Sequence, residues 1–174
     1  MSVGFRLVAT PLGEWLAAQT DDGLSFLSLN GKQALAQLQE YAEDVLGEEL
    51  VEGTLPEVTQ ALGSYAAGEL REFTLSLDLR GTDFQLAVWA GLCRIPFGET
   101  RTYAELAEDI GRAGACRAVG LANGRNPVPV VVPCHRVVAK DGLGGFTGGL
   151  EHKVTLLDHE RAHAKRGQNV FDFP

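Results

Sequence analysis

The sequence predicts an α/β unit over residues 1–80, an antiparallel sheet with helices, followed by a mainly helical unit over 81–174 that carries a helix-turn-helix. Three observations predict this order. The first thirty residues read as strands separated by turn chemistry, residues after 82 read as short capped helices, and Arg80-Gly81-Thr82 has the character of a linker. A length of 174 residues accommodates one domain or two small ones.

In the first unit, Phe5 to Thr10, Glu14 to Gln19 and Leu24 to Leu29 are strand candidates divided by Pro11-Leu12-Gly13 and Asp21-Asp22-Gly23. Gly31 to Leu46 places Leu35, Leu38, Ala42 and Val45 at helical spacing and stops at Gly47. Glu57 to Leu70 is a weaker helix after Pro56, and Glu72 to Leu79 alternates Phe73, Leu75, Leu77 and Leu79 with polar residues, as a half-buried strand does. In the second unit, Thr82 with Gln85 and Thr102 with Glu105 are capping boxes, opening a helix through Gly91 and another over Tyr103 to Ile110. Gly111 to Gly114 is a glycine turn before a helix over Ala115 to Ala122, the pattern of a helix-turn-helix but also of many ordinary helical hairpins. Asn126-Pro127-Val128-Pro129 is a stiffened turn, and the glycine-rich loop Gly142 to Gly149 precedes a last helix from Leu150 to about Ala164.

Hydrophobic residues make up 45% and charged residues 22%, which excludes a disordered tail, a coiled coil and a collagen-like rod. No apolar run reaches membrane-helix length, and Met1 to Thr10 lacks the apolar core of a signal peptide. Three cysteines without a C-x-x-C pair argue against a disulfide scaffold or a cysteine-rich zinc site and point to a reducing, cytoplasmic setting. The net charge of −8 normally counts against nucleic-acid binding. It is uneven, however: residues 1–83 hold 4 basic and 14 acidic side chains, whereas 84–140 hold 7 basic and 4 acidic. Two solvated faces of unlike composition would explain this equally well.

The sharpest chemical signal is Pro133-Cys134-His135-Arg136. A nucleophilic cysteine reacts as thiolate and calls for a lowered pKa, supplied by positive charge, a helix N-terminus or a base. Histidine is the usual base near neutral pH, and a proline before Cys134 suits a helix start whose amides face the sulfur. Adjacent residues of a helix diverge, so Cys134 and His135 would communicate through water or across a turn. An isolated cysteine after a valine run is, by contrast, commonly a small buried hydrophobe.

Asn126-Pro127 followed by PCHRVV, with ACRAVG upstream and a downstream GGL-x-x-K-x-x-LL-x-x-E, resembles the O6-alkylguanine-DNA alkyltransferase family over about Phe84 to Glu160. The resemblance implies a ribonuclease-H-like first domain and a winged helix-turn-helix in the second. It implies that Cys134 accepts a methyl or larger alkyl group from O6 of guanine, or from O4 of thymine, irreversibly and once per molecule. His135 would be the base through water, oriented by Glu160; Asn126 would pin the turn; Tyr103 would donate to the leaving guanine. Arg117 would fill the gap left in the duplex, with Ala115, Arg112, Arg125 and Tyr103 also on the DNA. Val137, Phe146, Thr147 and Lys153 would belong to the base pocket. The implied partner is double-stranded DNA containing O6-alkylguanine, bound by a monomer with no membrane role, cooperativity on DNA being left open. No cofactor and no metal are expected, since neither Cys nor His occurs before Cys93, where some relatives hold zinc.

The chemistry fits the residues. O6 is buried in a stacked duplex, so reaction there requires extruding the base, phosphate contacts, a plug and an apolar pocket. Phe146 stands where some members have tyrosine and Thr147 where serine is common. His159-Glu160-Arg161-Ala162-His163 spells a zinc-peptidase motif, but Asp172 is the sole third-ligand candidate after it, and solvent-facing histidines are the plainer reading. The glycine loop breaks G-x-G-x-x-G at Thr147. Cys93 and Cys116 are expected to pack in or between helices, and Trp89 in the core. The rival reading is an alkyltransferase-like protein that binds alkylated DNA without repair; a cysteine hydrolase would need an oxyanion hole and a sequence-distant histidine.

Overall fold

The computed structural model describes residues 2–168, with side chains through Ala164. The chain forms two compact units, one ending at Arg80 and the other beginning at Gly81.

The first unit is a four-stranded sheet in the order β3-β2-β1-β4, with β1 Ser2–Thr10, β2 Gly13–Thr20, β3 Gly23–Ser28 and β4 Glu49–Glu52. The β1–β2–β3 meander is antiparallel and follows the sequence reading closely. β4 pairs in parallel with β1, Ser2 opposite Glu49, so the sheet is mixed rather than antiparallel. The four residues of β4 alternate too little to be read as a strand, and a parallel edge strand gains its register only from β1. β2 lies centrally, and Trp15 to Ala18 are buried on both of its faces. Leu38 and Leu46 close over Val3, Leu16 and Phe26 from the predicted Gly31–Leu46 helix. That segment is a 3-10 turn Gly31–Ala34, α1 Leu35–Tyr41 and a π turn Ala42–Leu46, ended by Gly47 at φ 67°. α2, Pro56–Ala66, starts on its proline and packs on β1 through its buried Val58 and Leu62 face.

The predicted strand over Glu72 to Leu79 does not form. It meets β3 through one bridge, with Leu24 N–H donating to Ser76 O at 2.9 Å and Asp78 N–H to Leu24 O at 3.0 Å. Its alternation marks a half-buried, nearly extended segment, but pairing depends on how closely the neighbouring backbone approaches. That approach passes over Gly23 at φ +148°, where a Cβ would lie 2.5 Å from the Ser76 carbonyl.

In the second unit, α3 Asp83–Cys93 and α4 Tyr103–Asp109 both begin on the predicted capping boxes, Thr82 with Gln85 and Thr102 with Glu105. α5 Cys116–Gly124 follows the glycine turn. Trp89, core as expected, donates its indole N–H to Ala122 O at 2.9 Å and ties α3 to α5. β5 Arg101–Thr102 and β6 Val137–Val138 form a short parallel pair, and α6 Leu150–Gln168 ends the described chain. Among the described residues no helix is long and apolar enough to cross a membrane.

Gly23→Ala is expected to lower the stability of the first unit by about 2 kcal/mol, because the added carbon forces the 72–79 segment off β3. Urea unfolding followed by Trp15 emission measures it; an unchanged midpoint would show that this close approach is not needed.

Candidate active site

Prolines at 127, 129 and 133 remove backbone donors and prevent the valine-rich stretch from continuing as helix or central strand. The chain instead folds back on itself, with Val132 N–H on Val128 O at 2.9 Å and Val130 at φ 75°, a conformation β-branched residues strongly resist. Asn126 clamps this loop from both ends of its amide: Nδ2 donates to Val132 O at 2.7 Å and Oδ1 accepts from Val128 N–H at 3.0 Å. Cys134 then opens a single 3-10 turn, Cys134–Arg136, whose three side chains are all buried.

The Cys134 thiol is pushed up to about 11 by burial; the Asn126 amide, the Lys153 charge and the backbone amides of Cys134 and His135 pull the other way but do not prevail. The expected low pKa is not found. At rest the group is a neutral thiol, because burial penalises the charged form more than nearby donors favour it.

His135 is fully buried, and its Nε2 lies 2.7 Å from Glu160 Oε1. Burial lowers the histidine's pKa, with Arg136 and Lys153 adding to that effect and Glu160 opposing it. A carboxylate only accepts, so Nε2 carries the proton and the neutral ring presents Nδ1 as a lone pair. Nδ1 is buried without a hydrogen-bond partner among the described residues. Burial alone would raise Glu160, but hydrogen bonds and charge from His135 and Arg136 outweigh it and hold the carboxyl well below its usual range. Arg136 grips both oxygens, Nε to Oε2 at 3.0 Å and Nη2 to Oε1 at 2.9 Å, and its Nη1 donates to Ile95 O at 2.7 Å. Gly98 N–H adds a bond to Oε2 at 3.1 Å.

Lys153 is buried on α6 and donates to Val137 O at 2.7 Å and Gly145 O at 3.0 Å, its pKa lowered by burial against the opposing influence of Cys134. It thus pins the glycine loop to the turn carrying Cys134. Tyr103, at the start of α4, is half-buried; burial raises its hydroxyl, the Gly145 amide lowers it, and the nearby Cys134 raises it. Gly144, at φ +71°, lies so close that a Cβ there would stand 2.9 Å from the Tyr103 hydroxyl. Among the other predicted pocket residues, Val137 is fully buried, Phe146 is half-buried, and Thr147 is exposed with Oγ1 donating to Gly124 O at 2.8 Å. Arg112, Arg117 and Arg125 are exposed around the helix-turn-helix, with Ala115 partly covered at the N-cap of α5.

Several sequence expectations change. His159 and His163 are not solvent-facing: His159 is buried, His163 half-buried, their rings lie 4.4 Å apart, and His163 Nδ1 donates to His159 O at 2.7 Å. The glutamate between them is turned to His135, and Asp172 lies outside the described residues. Cys93 and Cys116 are exposed rather than packed. Two further residues belong to the site: Arg136, and Asn123, whose buried amide reaches Cys134 O at 3.5 Å. Arg136 stood inside the PCHR motif, yet an arginine in a basic segment looks like a surface charge until its carboxylate is located.

Fold and site define a class: an α/β unit joined to a helix-turn-helix unit whose buried thiol adjoins a carboxylate-tethered histidine. Residues 83–162 match the family model described as the DNA-binding domain of 6-O-methylguanine DNA methyltransferase. Over 114 residues the chain is 57% identical to a methylated-DNA–protein-cysteine methyltransferase of Mycolicibacterium paratuberculosis, covering 65% of this chain and 69% of that one. Its fold superimposes on the crystal structure of Mycobacterium tuberculosis O6-methylguanine methyltransferase with a TM-score of 0.82 and 40% identity, over 98% of this chain and 99% of that one. It also superimposes on the structure of the M. tuberculosis protein in complex with DNA, with a TM-score of 0.78 and 41% identity, over 92% and 94% of the two chains. The chain belongs to the O6-methylguanine-DNA methyltransferase family.

Glu160 and His135 both hold folded-state pKa values below their unfolded ones, so on acidification the unfolded chain takes up protons first. Stability is fully present above about pH 6.5, is lost as His135's share fades below it, and falls further below about 4.5 as Glu160's share fades. Glu160→Gln is expected to remove the lower part of that slope, measured by urea unfolding from pH 7 downward. Arg136→Met is expected to cost about 3–5 kcal/mol at pH 7, as removal of one partner of a buried pair does.

Proposed function

We propose that this chain repairs O6-methylguanine in duplex DNA by moving the methyl group onto its own Cys134, once per molecule. The observation that carries this is a neutral buried thiol followed in the chain by a neutral His135 whose Nδ1 has no hydrogen-bond partner among the described residues, in a member of this family. Residues 81–174 carry DNA binding and transfer, and residues 1–80 form the companion domain. The parallel edge strand supports a ribonuclease-H-like assignment for the latter. The β5–β6 pair beside α4 supports a winged helix-turn-helix for the former.

The thiol proton passes through water to His135 Nδ1 as Glu160 stabilises the forming imidazolium. The sulfur attacks the methyl carbon in line; the S–C bond forms, the C–O6 bond breaks, and the electron pair passes into the purine. Tyr103, kept protonated by its raised pKa, hydrogen-bonds the ring as charge develops there. The proton taken from Cys134 restores the ring N–H, so the products are S-methylcysteine and guanine. A resting thiol is compatible with this chemistry because the base acts only when an electrophilic carbon is in reach. Val137, Phe146 and Thr147 wall the base, Lys153 and Asn126 fix the loops on either side, and Arg117 fills the vacated stack, with Ala115, Arg112 and Arg125 on the backbone. Larger alkyl groups and O4 of thymine extend the substrate class. The cytoplasm is the proposed location, and the monomer the proposed form. The alkyltransferase-like alternative is disfavoured by the presence of Cys134 itself.

Intact-protein mass after incubation with duplex DNA carrying one O6-methylguanine is expected to rise by one methylene, confined to Cys134 and saturating at one per chain. Cys134→Ser should bind the lesion and gain nothing; a lesion-selective wild type without mass change would establish recognition without repair. Arg117→Ala is expected to slow duplex repair by about 10-fold or more while sparing reaction with free O6-benzylguanine, since only the duplex must be unstacked.

A further inference from the structure

α5 carries a feature that neither the helix-turn-helix pattern nor the transfer chemistry requires. Leu121 is 63% exposed, the most exposed large apolar side chain among the described residues. It lies four residues after Arg117 on the same side of α5, a rise of about 6 Å, and four before Arg125, the residue that caps the helix. Both arginines are exposed, and neither is paired with a carboxylate among the described residues. Ala118 and Gly124, also exposed, flank Leu121 with little bulk, while Val119, Ala122 and Asn123 turn inward to anchor the helix. A single exposed leucine is ordinary. One held between two unpaired guanidiniums, on a rigid helix within the segment that matches a DNA-binding family model, has a specific chemical complement: a nucleic-acid groove, whose charged phosphate rims enclose apolar sugar edges and base steps.

We propose that Leu121 is a second wedge in the DNA groove, an apolar side chain pressed against the sugar and base step next to the one Arg117 opens, with Arg125 on the phosphate rim beyond. The inference rests on the repair reading above and adds a residue to it. Apolar side chains of this size unstack base steps in other groove-binding proteins at a cost of a few kcal/mol per step, offset by closer contact with the backbone. Arg117 alone would have to support the vacated stack while its long side chain stayed mobile. A leucine one turn away keeps the step unstacked at little entropic cost, because its rotamers are few. The wedge contributes no charge, so it acts on unstacking and leaves the salt dependence of binding alone.

The test compares wild type, Leu121→Ala, Leu121→Met and Arg125→Ala on duplex DNA holding O6-methylguanine beside 2-aminopurine, and on free O6-benzylguanine. In Leu121→Ala the ratio of duplex to free-base rate is expected to fall about tenfold with a smaller 2-aminopurine emission rise, and in Leu121→Met to recover to within about twofold. The slope of log affinity against log salt is expected to be unchanged in Leu121→Ala and shallower by about 1 in Arg125→Ala. An unchanged ratio in Leu121→Ala, or equal losses on both substrates, overturns the wedge while leaving the repair reading intact. A wild type that alkylates Cys134 on neither substrate overturns both.

Discussion

Everything at the Cys134 turn depends on one buried carboxylate. Glu160 is 1% exposed, and a charge placed there without partners would be prohibitive. It is tolerated because Arg136 neutralises it bidentately while His135 and the Gly98 amide occupy its remaining acceptor sites. The same bonds join three parts of the unit: α6, the 3-10 turn of the cysteine, and the chain after α3, which Arg136 reaches at Ile95. Charge balance also sets the histidine's resting state. Glu160 favours a proton on His135, but burial together with the Arg136 and Lys153 charges outweighs it, so the ring rests neutral.

Burial and reactivity oppose one another at Cys134. The burial that encloses the side chain also keeps the proton on sulfur, and a protonated thiol is a weaker nucleophile than a thiolate. Geometry is maintained by strain: Val130 holds a left-handed backbone, sparsely populated for a branched residue and costing about 1–3 kcal/mol. The two Asn126 bonds and the burial of Val128, Val130 and Val132 hold that conformation in place.

The parts of this molecule that were legible in the sequence are those encoded over short distances. Both capping boxes and the strand meander depend on neighbours within a few residues and form as predicted, and the helix ending at Gly47 forms in three pieces with Leu46, in place of Val45, turned to the core. The Cys134, His135 and Glu160 grouping was legible only through resemblance, because Glu160 lies 25 residues from His135 and no local period connects them. The failures have a shared cause. Strand β4, the singly bridged 72–79 segment and the role of Arg136 are all decided by a distant partner, and sequence spacing shows an element's own preference without that partner. Cys93 and Cys116 failed for the opposite reason: a small sulfur side chain is compatible with either side of a short helix.

The two tryptophans of the chain stand one in each unit, both almost wholly buried, but with different indole environments. Trp15 N–H has no acceptor among the described residues, while Trp89 N–H is bonded to the Ala122 carbonyl in the last turns of α5. Any movement of α5 relative to α3 would lengthen or reorient this bond. The protein therefore contains its own optical gauge: Trp89 emission follows the helix proposed to meet the groove, and Trp15 supplies an internal reference from the sheet.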